Sequence, residues 1–549
     1  MSYIIIKDGI LVDKNYSFEK NDIIIKNDKI LEIEPELKVN ENFKVLDAKG
    51  LLVAPGFIDF HSHYDLYVAN EESCKLYEPL LYQGVTTCLA GNCGFSIFPV
   101  VKKNLKFFNE FVNFLLYKDI DYKWGGYKEF QDYIKGKLLF NFASLTGHGT
   151  LRTNTIGFKR TLDQSDLEFA KELLIETLES GSFGMSTGLM YVPGTFSTTT
   201  ELIEFAKTLK KYPNTIYSAH TRGLSNTFIE AIKETIEIGR KTGIKVNCSH
   251  IGPFGVQYGP KIEEALKILE EAREEGVDIS FDSVSYPGGN TTIMAIFPPW
   301  SYSNGVEKFL EDLKDDSFFN KVIESIENYV PKWPTWEGEG WTDNFVLSLG
   351  WENIFIVGSN NKEIEGKNFV QIANDRKISI PEALRQITIE ENADVNIYLK
   401  GIGTALDPED EKSMKYFDMM IEHNLCLPCV DAVFTKSGVS SPFLYGTFPR
   451  IINRYVKKKK TLSLKEVIVR FTSKVAERIG LPKRGCLKKN YYADIVILNI
   501  DKYKDYPDFT LKNNKNTTGV EYLLINGNII IENNIIKNVQ SGSIIKNEF

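Results

Sequence analysis

Histidine is scarce in this chain of 549 residues: there are six, beside seven cysteines, six tryptophans and seven methionines. An odd cysteine count in a long chain argues against a disulfide framework and fits free thiols in a reducing compartment. A basic excess is also missing. The formal net charge is −8, which excludes a general nucleic-acid binder, since phosphate contacts need a cationic surface. The run Lys457 to Lys460 reads as a solvated helix end. No apolar stretch approaches the roughly 20 residues that span a bilayer. The start, Met-Ser-Tyr-Ile-Ile-Ile-Lys-Asp-Gly, has neither a basic leader nor a cleavage site. These features predict a cytoplasmic protein that acts on a small molecule, with no nucleic acid and no membrane as partner.

What is present is ordered. Tyr3 to Ile6, Asp22 to Lys26 and Lys29 to Ile33 are isoleucine-rich runs between polar turns, and Ala493 to Leu498, Val520 to Ile525 and Asn528 to Ile531 repeat that texture at the other end. Asn526-Gly527 is a hairpin turn signal. The two ends are expected to form one small β domain. Between them, apolar runs alternate with helical patterns. Eight runs read as strands: Phe57 to His61, Gly84 to Ala90, Phe140 to Thr146, Phe183 to Thr187, Thr215 to His220, Lys245 to His250, Asp278 to Ser283 and Leu425 to Val430. Strands alternating with helices imply a parallel sheet, and eight of them a (β/α)₈ barrel. The fold class expected is therefore α/β: a barrel over 54–480, with a small β-sandwich from 1–53 and 481–549. The segment 288–358, rich in aromatics, breaks the spacing and is expected to lie over the barrel mouth like a lid.

The histidines cluster at element ends. In Pro-Gly-Phe-Ile-Asp-Phe-His-Ser-His, His61 and His63 are two apart, so both rings leave a strand on one side. Cys93, in Gly-Asn-Cys-Gly, follows the second strand; His220 and His250 end the fifth and sixth; Asp431 follows the eighth. Catalytic groups of such barrels converge at the C-terminal ends of the strands. Imidazole with thiolate suits zinc, and a carboxylate beside the metal can shuttle a proton. Cys426 and Cys429 form C-x-x-C without a partner pair and read as core packing.

With Gly-Val-Thr-Thr (Gly84 to Thr87), Gly-His-Gly-Thr-Leu-Arg (Gly147 to Arg152), Met-Ser-Thr-Gly-Leu (Met185 to Leu189), Tyr-Gly-Thr-Phe-Pro-Arg (Tyr445 to Arg450) and Ala-Asp-Ile-Val (Ala493 to Val496), the chain resembles the amidohydrolase superfamily, in its D-aminoacylase branch. The resemblance covers about Lys7 to Val496. It implies a tight zinc on Cys93, His220 and His250, and a weaker second position on His61, His63 and Asp431 that Cys93 can bridge. It implies hydrolysis of the amide of an N-acyl-D-amino acid or related N-acyl compound, with Asp431 as general base and acid. Hydantoinases and dihydroorotases use a lysine on the fourth strand; here that strand reads Phe-Gly-Met-Ser-Thr-Gly-Leu, which favours the cysteine-bridged branch, and a cyclic-amide hydrolase or a deaminase on the same scaffold is the alternative reading. A binding protein on a degenerate barrel is the reading of another class; loss of ligands would mark it, and all six candidates remain.

The match departs at one place. The branch carries His-Pro-Arg before its Tyr-Gly-Thr-Phe-Pro-Arg run, and the resemblance implies that this arginine pairs with the substrate carboxylate. Here Ser441 and Phe443 stand at the histidine and arginine positions. Tyr286, as a hydroxyl donor, and Phe443, facing an apolar or uncharged group, are the expected substrate contacts.

Overall fold

The computed structural model describes residues 3–403, 405–408, 410–434, 441–506, 515–537 and 540–548. Eight strands run parallel around the barrel. In order they are Phe57–Asp59, Val85–Ala90, Asn141–Ser144 with Thr146–Gly147, Gly184–Gly188, Ile216–His220, Lys245–Cys248, Ile279–Ser283 and Cys426–Pro428. Each pairs in parallel register with the next. The ring closes where the Asp431 amide donates to the His61 carbonyl at 3.0 Å and the Val430 amide donates to the Asp59 carboxylate at 2.9 Å. Apart from Lys245, the strands are buried along their length, which is why they read as short continuous apolar runs rather than alternating ones.

Helices such as Gln164–Glu179, Thr199–Leu209, Phe228–Thr242 and Pro260–Glu274 form the outer layer. Their starts are legible. Asp163 accepts from the Asp166 amide in a capping box, and Thr198 accepts from the Glu201 amide, so side chains satisfy donors that a helix start leaves free.

Both chain ends build a second, nine-stranded sheet. Leu52–Pro55 pairs antiparallel with Ile495–Leu498 on one side and parallel with Tyr3–Val12 on the other. Ile6, Ile23, Ile25, Val53, Ile495 and Leu524 pack together in its core. The result is the α/β class expected, a barrel beside a small β unit.

The inserted chain is longer than its aromatic stretch suggested. Gly288–Thr292 and Ile354–Gly358 both pair antiparallel with Asn396–Lys400. The small sheet is thus completed by residues well beyond 358. Among the described residues, no helix is long and apolar enough to cross a membrane.

Candidate metal centre

The first barrel strand ends at Asp59, and the chain delivers His61 and His63 just beyond it. The second strand ends at Ala90. A tight turn then presents Cys93, held by three local bonds: Asn92 Nδ2 donates to the Leu89 carbonyl at 2.9 Å, and the Gly91 and Ile97 amides donate to the Asp65 carboxylate at 3.2 and 3.0 Å. The turn leans on the end of the fourth strand. A Cβ on Gly188 would lie 2.0 Å from the Cys93 carbonyl oxygen, and one on Gly94 would lie 2.5 Å from the Gly188 nitrogen. This approach explains why the Gly-Asn-Cys-Gly and Met-Ser-Thr-Gly runs occur together.

Three donor residues have left-handed backbones: Cys93 at φ 52°, His250 at φ 31° and Asp431 at φ 50°. Such conformations are uncommon for residues with a side chain and gather where the surroundings enforce them for function.

The donors converge. His61 Nε2 is 3.1 Å from Cys93 Sγ, and His250 Nε2 is 3.3 Å from the same sulfur. Asp431 Oδ1 lies 3.4 Å from His61 Nε2 and 3.3 Å from His63 Nε2. His61, His63, Cys93 and Asp431 form one potential ligand group; Cys93, His220 and His250 form another, within 4.8 Å of one another. All six residues expected from the sequence meet at one floor, and Cys93 belongs to both groups.

Electrostatics fit a cation. Burial opposes the Cys93 thiolate, yet the His61 and His250 charges and the hydrogen bond with His250 hold its pKa well below the ordinary thiol range. Burial also opposes the Asp431 charge, and His61 and His63 outweigh it, so this carboxyl lies below its usual value. Burial lowers His220, with His250 adding to the effect, leaving it a neutral imidazole, the form that binds metal. Both ring nitrogens of His220 are buried without a protein partner among the described residues. A buried polar atom of that kind calls for a ligand or ion, and two imidazoles around a thiolate suit zinc.

One contributor escaped the sequence reading. Asp282, near the end of the seventh strand and fully buried, accepts the His250 backbone N–H at 2.7 Å and Asn247 Nδ2 at 2.6 Å. It also lies 3.3 Å from His61 Nδ1. The signal was available: a lone acid inside the apolar strand Ile-Ser-Phe-Asp-Ser. Cys429 packs in the core as read, and its thiol donates to Asp282 at 3.2 Å. His148, in the Gly-His-Gly-Thr-Leu-Arg run, lies elsewhere: it pairs with Glu201 at 3.0 Å beside the Arg152 guanidinium.

Above the donors opens a cavity of about 590 Å³, the space at its mouth included. Phe95, Phe114, Met190, Leu224, Phe254 and Phe345 supply apolar wall, and Gly288 to Thr291 of the insertion supply one side. The expected substrate contacts are not on it. Tyr286 and Phe443 pack together in a separate buried cluster with Tyr398 and Val357. The Tyr286 hydroxyl donates to Asp505 at 2.9 Å, and Phe443 begins the helix Phe443–Ile451.

The amidohydrolase family model matches residues 44–156 and 439–531, the stretches that carry His61, His63 and Cys93 and the chain after Asp431. The chain is 25% identical to a D-aminoacylase of Alcaligenes xylosoxydans xylosoxydans, over 88% of this chain and 84% of that one. In fold it is similar to an N-acyl-D-glutamate deacylase from Bordetella bronchiseptica, solved with zinc and a phosphonate inhibitor (TM-score 0.78, 22% identity, 99% of each chain). It is similar too to a D-aminoacylase described as having a binuclear metal centre (TM-score 0.77, 21% identity, 99% of each chain). Fold, donor pattern and sequence agree in one likeness: the chain is similar to the amidohydrolase family and, within it, to D-aminoacylases.

Proposed function

We propose that this protein is a zinc-dependent hydrolase of linear amides that removes the acyl group from an N-acyl compound of the kind its deacylase relatives are named for. The observation that carries the reading is the convergence of six donors, with a shared thiolate, on the floor of a largely apolar cavity. Cys93, His220 and His250 would hold the tight metal, and His61, His63 and Asp431, with Cys93 between, the weaker one. Zinc, when bound, polarises an acyl carbonyl and acidifies water.

The chain's own residues do the rest. The apolar walls exclude bulk water from the amide and so strengthen every charge interaction at the floor. Asp431, kept ionised by His61 and His63, is the base that takes a proton from the attacking water and returns it to the departing nitrogen. Its partial exposure, 18% of the side chain, leaves it open to substrate, whereas His61 and His63 are almost fully enclosed. Seven free cysteines support a reducing, cytoplasmic setting.

The test is removal and return of metal. Chelation is expected to abolish release of carboxylate from an N-acyl substrate, and zinc to restore it. Asp431→Asn should keep the tight zinc and lose about 10²- to 10⁴-fold in kcat, the usual scale for a positioned proton carrier. Full turnover by a metal-free Asp431→Asn protein would overturn the reading.

A further inference from the structure

Among the described residues, the wall of the cavity is poorly suited to an anion. No lysine or arginine lines it among the described residues. The buried guanidiniums nearest in sequence to the site are committed elsewhere: Arg152 to both oxygens of Glu201 and Arg222 to Glu234 at 3.0 Å. With only the tight ion bound, the two anionic donors, Cys93 and Asp431, would balance its charge. A carboxylate moved from water to such walls loses its hydration without a paired cation, which is strongly unfavourable.

Asn290 is the unusual polar group on that wall. It lies on Gly288–Thr292, which takes a strand partner on one edge only, from Asn396–Lys400. Neighbouring Thr291 is engaged by the Tyr191 hydroxyl at 3.1 Å. The Asn290 amide is not: its oxygen and its nitrogen are both buried, and neither has a partner among the described residues. Buried amides are almost always satisfied, and this one borders the cavity. A primary amide offers an acceptor and two donors. A carboxamide can pair with its oxygen and its nitrogen at once and a hydroxyl with either, while a carboxylate can accept from the nitrogen only and leaves the buried oxygen unsatisfied.

We propose that the substrate carries an uncharged polar group, a carboxamide or hydroxyl, where N-acyl amino acids carry a carboxylate, and that Asn290 is the specificity residue that reads it. This rests on the amide-hydrolase reading above, which it narrows.

The experiment compares N-hexanoyl-D-leucine with N-hexanoyl-D-leucinamide on the zinc-loaded full chain, following hexanoate release. The expected result is a kcat/KM at least about tenfold higher for the carboxamide. Asn290→Ala, with zinc content as the check on its fold, is expected to bring that ratio close to one through a loss of about ten- to hundredfold on the carboxamide. Equal or better turnover of the free acid overturns the inference and leaves the amide hydrolase standing. An equal loss on both substrates in Asn290→Ala overturns the role of Asn290. Absence of hexanoate from either substrate, with zinc bound, removes the hydrolase reading and this inference together.

Discussion

Asp282 shows how one carboxylate organises a site it does not enter. It accepts the His250 backbone N–H and faces His61 Nδ1, and so bears on one residue from each ligand group. A metal-binding imidazole is held in orientation and tautomer by whatever its second nitrogen meets, and loss of such a partner typically costs about 10–100-fold in metal affinity. Asp282→Ala is therefore expected to weaken zinc binding by about that factor while the fold persists, read by competition against a chelator of known affinity. Asp282→Asn, which retains an acceptor for the His250 amide, should lose less. Unchanged zinc affinity in the alanine variant would show that His61 and His250 are oriented by their strands alone. The six residues that meet at the floor were legible in the sequence because each lies at or just past a strand end. Asp282 was not, because a buried acid in a strand is informative only once its neighbours are known.

At the scale of elements, the inserted chain is tied to the barrel by another buried acid. Asp343 accepts the Leu224 amide at 2.8 Å and the Ser225 hydroxyl at 2.7 Å, and Leu224 and Phe345 both line the cavity. Burial raises the Asp343 carboxyl to about 6, against hydrogen bonds from Ser225 and Leu224 that pull it down. The folded state therefore holds this proton more tightly than the unfolded chain does. The contribution favours folding in full below pH 3.8, the ordinary value for an aspartic acid, and is lost as pH rises to about 6. The whole change is roughly 3 kcal/mol, at about 1.4 kcal/mol for each tenfold gain in proton affinity. Asp343→Asn keeps an acceptor for both bonds and removes the charge. The stability of the variant relative to the native chain should climb between about pH 4 and about pH 6 and then level, measured as the difference between two denaturation series. A flat difference would mean that Asp343 is solvated in the folded protein.

The same insertion marks where legibility ended. The barrel strands were readable because each is short, apolar and bounded by turns. The partner of Gly288–Thr292 was not, because Asn396–Lys400 is over a hundred residues away and antiparallel pairing at that separation leaves no local pattern. Tyr286 and Phe443 were placed at the substrate by family position. The structure places both in a cluster with Tyr398, itself on that distant strand, a contact that no local pattern announces.

At the scale of the whole molecule, the question is what joins the terminal sheet to the barrel. Asp494, next to the strand Ile495–Leu498, gathers four regions of chain. Its carboxylate accepts Asn141 Nδ2 from the third barrel strand at 3.1 Å, the Asn526 amide from the C-terminal hairpin at 2.8 Å, and Arg484, with which it forms a close buried ion pair. Its carbonyl accepts the Gly56 amide one residue before the first barrel strand. Arg484 reaches on to the Asn526 side chain at 2.9 Å and to Ser543 at 3.2 Å. Removing one member of a buried pair strands the other charge, at a cost of about 3–5 kcal/mol, while replacing both with apolar groups is often nearly neutral. Asp494→Ala is thus expected to lower stability by about that amount, and the paired change Arg484→Met with Asp494→Leu to lower it less. The donors at the far ends of the strands touch neither residue, so the zinc content of Asp494→Ala should match the native chain below its unfolding temperature. A single variant no less stable than the double would show that Arg484 finds water once its partner is gone, and that the two units are joined by the pairing of Leu52–Pro55 with Ile495–Leu498 rather than by this charge.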